Sequence, residues 1–298
     1  FSGKPRRVVA RVSEKLRDVF TPDELEAGPS PGYWREERVL PRGNDRLFAD
    51  IMVPLSGEEP AWAALDQALE VARREGARLH GLHVVPAGQE LQPEEAGAIQ
   101  AEINRRCEAA SVSGRLAFEI GRVARRICER ARWIDLVVMH LAHPPAPEPM
   151  ARLSSGFRTL IRRCPRPILA VPEGASQMNH ALLAYDGNPK AEEALFVAAY
   201  LAGRWGSDLV VVNVLENEVV ESEALDHARA YLGSRGVSAV FVQARGSVAE
   251  VILQTVEERG SDLILMGGYG HSPVLEFVLG STVDQILRES RRPLLVCR

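Results

Sequence analysis

The chain has 298 residues, enough for two domains that each bury a full hydrophobic core. Its 36 Lys and Arg against 40 Asp and Glu exclude a strong basic field of the kind that holds nucleic acid or an anionic membrane surface. Four scattered cysteines, Cys107, Cys128, Cys164 and Cys297, form no Cys-x-x-Cys pair, which speaks for a reduced, cytoplasmic compartment and against a disulfide framework or zinc ribbon.

Taken in chain order, residues 1–46 differ from the rest. Pro5 to Phe20 carries Val8, Val9, Val12, Leu16 and Val19 at helical spacing, and Thr21-Pro22 reads as a helix start. Gly28-Pro29-Ser30-Pro31-Gly32 then breaks the pattern, so this stretch is expected to be a helical arm or linker with no core of its own. The chain opens at Phe1 without a signal-peptide hydrophobic region, and no apolar run approaches the ~20 residues that span a bilayer, so no direct membrane insertion is expected.

From Phe48 the pattern alternates. Strands are predicted at Phe48–Leu55, Arg78–Val85, Arg115–Glu119, Asp135–Met139 and Pro167–Val171, with helices at 61–75, 94–110, 122–131 and 155–163 between them. Strands alternating with helices imply a doubly wound, mostly parallel α/β sheet. The same order recurs from residue 180: Gly57 matches Gly187, Ala64-Leu65 matches Ala194-Leu195, Gly76 matches Gly206, Met139 matches Met266 and Pro167 matches Pro293. A repeat of this length means two copies of one domain. We expect domains at 47–173 and 179–298, joined through Pro172-Glu173-Gly174-Ala175-Ser176. The closing strands Pro167–Val171 and Pro293–Cys297 are short and apolar, and each is an edge expected to pair across the two copies.

In the second copy the predicted strand Asp262–Met266 ends in Gly267-Gly268-Tyr269-Gly270, and the chain enters another helix at Gly280-Ser281-Thr282. Glycines there allow positive φ and close approach of a ligand to backbone amides. The helix start supplies unpaired N–H groups, and the Ser281 and Thr282 hydroxyls add donors, which together make an anion cradle. Ala184-Tyr185-Asp186-Gly187 ends the first strand at the same sheet edge, where Asp186 can accept hydrogen bonds from a base or ribose; Asp-Gly is also a common turn. Val214, ending the second strand, can offer backbone groups.

The array Gly267-x2-Gly270-x9-Gly280-Ser281, with Asp186 upstream and the strand Pro293–Cys297 closing the chain, resembles the ATP-binding branch of the universal stress proteins, over about residues 48–298 as a tandem pair. The resemblance implies an adenine nucleotide alpha hydrolase-like, Rossmann-like fold in both copies. It implies contacts to ATP, ADP or AMP, with Mg allowed at the phosphates, from Asp186, Val214, Gly267, Gly270, Gly280, Ser281 and Thr282. Ala184, Tyr185, Met266 and His271 are then neighbours of the nucleotide. Pairing of the two copies within one chain, and association of chains into a homo-oligomer, are expected on the same ground.

The first copy departs from this pattern. Ser56 replaces Asp186, His140 replaces Gly267, His143 replaces Gly270, Ser154-Ser155 replaces Gly280-Ser281, and prolines fill the turn, so nucleotide is not expected there. His140 and His143, with His83 on what is expected to be the adjacent strand, lack an acidic or thiol partner, and no metal site is predicted. Three functions follow: a nucleotide-binding module with a sensory or regulatory role in stress response; a slow ATPase, with His271 the sole nearby candidate to orient water; or a scaffold tail of a larger, membrane-transport protein. No Gly-x4-Gly-Lys-Ser/Thr loop occurs, which disfavours rapid hydrolysis.

Overall fold

The computed structural model describes residues 46–145, 156–215, 223–269 and 282–298. The N-terminal helices expected within residues 1–45 lie outside them, as do Ser154-Ser155 and the cradle positions Gly270, His271, Gly280 and Ser281.

The first half runs β1 (Asp50–Pro54), α1 (Glu59–Glu75), β2 (Arg78–Val85), α2 (Pro93–Ala110), β3 (Gly114–Ile120), α3 (Val123–Ala131), β4 (Leu136–His140), α4 (Gly156–Arg163) and β5 (Ile168–Val171). The second repeats it as β6 (His180–Ala184), α5 (Pro189–Trp205), β7 (Asp208–Leu215), α6 (Glu223–Ser234), β8 (Val240–Arg245), α7 (Val248–Arg259), β9 (Leu263–Gly267), α8 (Thr282–Glu289) and β10 (Leu294–Cys297). The expected α/β class is observed, with strand positions within a residue or two of those read from the alternation. Matching helices are punctuated alike. A proline opens α1 and α5, and Gly76 (φ +59°) and Gly206 (φ +71°) close them in the left-handed region, where a side chain would strain the backbone.

Among the described residues all ten strands join one sheet in the order β3-β2-β1-β4-β5-β10-β9-β6-β7-β8. Every pairing is parallel except the central one, where β5 meets β10 antiparallel. Its register sets Leu169 against Leu295, with Leu294 against Ala170 and Val296 against Ile168. Leu169 thus faces its own counterpart in the repeat, and a local two-fold axis passes through that pair.

Because successive strand residues point to opposite faces, the sheet carries two cores. Ile51, Val53, Leu169, Leu183, Leu265 and Leu295 pack one face beneath α1, α2, α5 and α6. Met52, Ile168, Leu182, Ile264 and Val296 pack the other beneath α3, α4, α7 and α8. Each core runs across the β5–β10 junction, so neither half closes its hydrophobic interior alone.

Polar groups fasten the same junction. The buried carboxylate of Glu75, at the end of α1, accepts from the Tyr200 hydroxyl at 2.8 Å and from the Trp205 indole at 2.6 Å, both on α5. Tyr200 in turn accepts from the Leu47 amide at 3.1 Å. The connection between halves is pinned by Gln67, which accepts from the Ser176 amide at 2.7 Å and donates to its carbonyl at 3.1 Å. Among the described residues no helix is long and apolar enough to cross a membrane.

Removing the Glu75 carboxylate strands the half-buried Tyr200 and Trp205 donors and the buried Phe48 amide, which lies 3.4 Å from it, so Glu75→Ala is expected to lower stability by about 2–4 kcal/mol, read as a fall in urea midpoint by Trp fluorescence. Burial first, and then the Glu75 charge, push the Tyr200 phenol from an ordinary 10 up to about 12. The folded state therefore holds this proton more tightly than the unfolded one. The stability it contributes is intact below pH 10 and is lost as pH rises toward 12. Tyr200→Phe should flatten that part of the alkaline unfolding profile relative to the natural chain; an unchanged slope would contradict the assignment.

Candidate functional site

In a sheet ordered this way, the strand order reverses between β6 and β9, and a crevice opens outside their carboxyl ends. The two strands are direct neighbours, Ala184 lying beside Met266, with β7 on the far side of β6. Asp186 leaves β6 and Gly267 ends β9, so two of the sequence-predicted positions converge at this switch point. Val214 lies near the end of β7 on the same edge, and Thr282 opens α8.

Tyr185 is buried and its hydroxyl donates to Glu192 on α5, a carboxylate that also meets His227 of α6 at 3.2 Å. Burial first, and then the Glu192 carboxylate, push its phenol well up, so it stays a donor. Its amide donates to the Val212 carbonyl at 2.9 Å, and its carbonyl accepts from the Asn213 side chain at 2.8 Å. These bonds hold the chain as it turns, and Asp186 next to it is exposed. One Asp186 oxygen accepts from the Asn188 amide at 3.0 Å and the other from its side chain at 2.7 Å. A carboxylate has about four acceptor sites, so this turn leaves acceptor capacity facing solvent. Gly187 follows at φ +80°, where only glycine is comfortable.

The N-terminus of α5 is closed by Asn188, whose side-chain oxygen accepts from the Lys190 and Ala191 amides, both at 2.9 Å. Lys190 was not singled out by the sequence, yet its ammonium reaches across to donate to the Tyr269 carbonyl. A cation therefore sits over the glycine turn. No motif spacing marks it, because its approach depends on how closely α5 lies against β9.

That approach corrects one expectation. Neither Gly267 nor Gly268 has a left-handed φ. A Cβ on Gly267 would lie 2.9 Å from the Ala191 nitrogen and 2.9 Å from the Lys190 carbonyl carbon, so the glycine is required by the backbone of α5. Gly268 donates its amide to the Cys297 carbonyl at 2.6 Å, tying the turn to β10. Tyr269 is then buried between the halves: its ring lies 5.0 Å from the Arg158 guanidinium and 5.1 Å from that of Arg162, both on α4. Its hydroxyl donates to buried Asp284 on α8 at 2.5 Å. Burial, with the Asp284 charge behind it, pushes this phenol up.

The first half keeps the frame of this site and changes its chemistry. Leu55 takes the place of Tyr185, its amide donating to the Leu82 carbonyl and its carbonyl accepting from buried His83, both at 2.9 Å. His83 thus occupies the role of Asn213. It lies on β2 and His140 on β4, with β1 between them, which corrects the expectation that their strands are adjacent. His140 donates through Nδ1 to the Val171 carbonyl at 3.0 Å. Ser56 makes the Asp186-type turn, accepting from the Glu58 amide at 3.3 Å, without a charge. Among the described residues no group of three His, Cys, Asp or Glu side chains could hold a metal ion.

Two open surface concavities, of about 390 and 440 Å³, lie elsewhere: one between α1 and α2 and one between the ends of α7 and α8. In the first, Arg106 is paired 2.6 Å from Asp66 and 2.5 Å from Glu102. Neither borders the switch point between β6 and β9.

Comparison with known proteins agrees with this architecture. The family model described as the universal stress protein family matches twice, at residues 48–172 and 178–298. The universal stress protein Slr1230 of Synechocystis sp. is 28% identical over 166 residues, covering 55% of this chain and 58% of that protein. YxiE of Bacillus subtilis, also a universal stress protein, is 27% identical over 146 residues, covering 40% of this chain and 99% of that protein. A universal stress protein from Archaeoglobus fulgidus has a similar fold, with TM-score 0.74 at 20% identity over 86% of this chain and 98% of that one. Matched across both halves by the family model, the chain belongs to the universal stress protein family.

Proposed function

We propose that the second half is an adenine-nucleotide-binding module, taking ATP or AMP at the β6–β9 switch point, and that its role is sensory or regulatory. The observation that carries this reading is the convergence there of an exposed carboxylate, Asp186, and a lysine ammonium, Lys190, laid over a glycine turn. The residues fit such a ligand. Asp186 has acceptor capacity left for ribose or base hydrogens, and Lys190 supplies positive charge for phosphate. Thr282 opens a helix whose N-terminal dipole favours an anion. Val214 would serve the adenosine part through its backbone; Gly270, Gly280 and Ser281 would complete the phosphate side.

When bound, the nucleotide supplies several negative charges to the surface beside α5 and α8. Lys190 would then divide its hydrogens between phosphate and the Tyr269 carbonyl. Because Tyr269 is held by Arg158 and Arg162 of the first half, occupancy has a physical route to the junction. The first half, with Ser56 and His140 at the matching positions, has neither the carboxylate of Asp186 nor the glycine of Gly267, and its role in this reading is structural.

Small molecules released from the purified, denatured protein should include adenine nucleotide at near one per chain, and none from Asp186→Ala combined with Gly280→Val. No nucleotide, with no binding on adding ATP back, would sink the module and leave a scaffold; two per chain would give the first half a site. Lys190→Ala is expected to weaken ATP about tenfold or more, the loss of one charge-assisted hydrogen bond, while leaving adenosine affinity within about twofold. Titration calorimetry with both ligands separates these outcomes. Gly267→Ala should destabilise the fold by about 1–3 kcal/mol through overpacking against α5, visible in the urea midpoint without any ligand.

A further inference from the structure

The outer edges of the sheet are β3 and β8, and the repeat lets them be compared residue by residue. Ala117 pairs with Leu82 in one half as Val242 pairs with Val212 in the other, and a glycine with positive φ follows each strand, Gly121 and Gly246. In this alignment Phe118 stands where β8 has Gln243, and Ile120 stands where it has Arg245. Polar and charged residues are what keep a sheet edge from pairing with another chain. Apart from Val240 at its start, β8 follows that rule, and its one ring, Phe241, lies under the Arg229 guanidinium at 4.5 Å. β3 does not follow it: Phe118 is 38% exposed and Ile120 63%, with Val123 46% exposed just beyond them.

The bonds from β3 to β2 fix which of its groups face outward. The Ser113 carbonyl accepts from the Leu79 amide and the Gly121 amide donates to the Val85 carbonyl, both at 2.9 Å. Backbone groups alternate in direction along a strand, so Arg115, Ala117 and Glu119 also turn theirs toward β2. Gly114, Leu116, Phe118 and Ile120 turn theirs away from the sheet. Side chains alternate between the faces in the same way. Leu116 packs on the first core and Ala117 on the second, so Leu116, Phe118 and Ile120 share the face of α2, while Arg115, Ala117 and Glu119 share that of α3.

We propose that β3 is the interface with a second copy of this chain, the two strands pairing antiparallel about a two-fold axis at Ala117. The strand reads Gly114-Arg115-Leu116-Ala117-Phe118-Glu119-Ile120, and reversed about Ala117 it is complementary to itself. Leu116 then opposes Phe118 of the second copy and Gly114 opposes Ile120. These are the residues with outward groups, so they make the hydrogen-bonded pairs. Ala117 opposes Ala117, and Arg115 opposes Glu119, in the non-hydrogen-bonded pairs, where side chains come closest. Arg115 is exposed in the single chain. In the pair it meets a carboxylate that Arg130 already holds at 2.5 Å on the α3 side. A slip of two residues in either direction would set Ala117 against Arg115 or Glu119 and leave no opposite charges facing, so charge fixes the register. Pairing of β3 with β8 is the poorer match. β8 has no carboxylate to meet Arg115, and such head-to-tail contact would propagate into an open filament.

The test uses the full chain in sedimentation velocity over a concentration series. The expected species is a dimer at twice the chain mass of 32.7 kDa. Phe118→Lys combined with Ile120→Lys, both at exposed positions, should weaken dimerisation about tenfold or more with an unchanged circular dichroism spectrum. Arg115→Glu alone and Glu119→Arg alone each set like charges opposite and should weaken it about tenfold. Mixed in equal amounts, these two variants match both charge pairs again and should recover the dimer as a heterodimer, which a merely structural defect would not do. Ala117→Cys should give a disulfide-linked dimer on mild oxidation, against the natural chain as blank, because partners in a non-hydrogen-bonded pair have Cα atoms about 4.5 Å apart. Phe118→Cys, set off from its own counterpart by two residues, should not. A natural chain that stays monomeric to its highest soluble concentration, a dimer indifferent to the two lysines, a mixture that fails to recover, growth into filaments, or crosslinking at position 118 as efficient as at 117 would each overturn the interface.

Discussion

The antiparallel contact between β5 and β10 is the constraint on which the rest of the molecule depends. Both strands are four residues long and buried throughout. Standing alone, each would present an apolar edge open to unwanted pairing. Placed together, they make one sheet from two half-sheets and hide both edges. The register matters as much as the pairing, because a slip of one residue would turn every side chain to the wrong face. With Leu169 opposite Leu295, each strand delivers its residues to the matching core, and both cores continue unbroken from one half to the other.

Within that frame the halves preserve backbone bonding and differ in charge and space. After β1 and after β6 the next carbonyl accepts a side-chain hydrogen, from His83 in one half and Asn213 in the other. The turn that follows is nucleated by Ser56 or by Asp186, and the same glycine conformation completes it, φ +88° at Gly57 and +80° at Gly187. The fold therefore tolerates either chemistry at these positions. Asp262 and Asp135 show the same economy, each capping the start of its half's first strand through two amides.

Much of this was legible in the residues. Alternating apolar runs and glycine or proline punctuation located the strands and helices closely, because parallel strands buried on both faces and helices ending in left-handed glycines leave strong local signals. Asp186 and Gly267 could be assigned to one sheet edge because strand ends in such a fold share a side. The contacts that define their surroundings were not legible. Lys190 reaches Tyr269 only because Gly267 lets α5 approach, and nothing in the spacing of these residues reports that distance. Tyr269, Asp284, Arg158 and Arg162 come from both repeats, so their meeting depends on the junction and not on any local pattern. His83 looked like a partner for His140 until the strand order set β1 between them.

The connection fastened by Gln67 and Ser176 has a further meaning for how such a molecule answers its surroundings. Two separate chains meeting through the same edge would obey mass action, and their fraction paired would fall on dilution. Covalent linkage replaces that bimolecular encounter with a fixed effective concentration. The junction is then equally populated when the protein is scarce and when it is abundant. Any ligand that favours one arrangement of the halves acts on a unimolecular equilibrium, and its midpoint is independent of how many copies the cell holds.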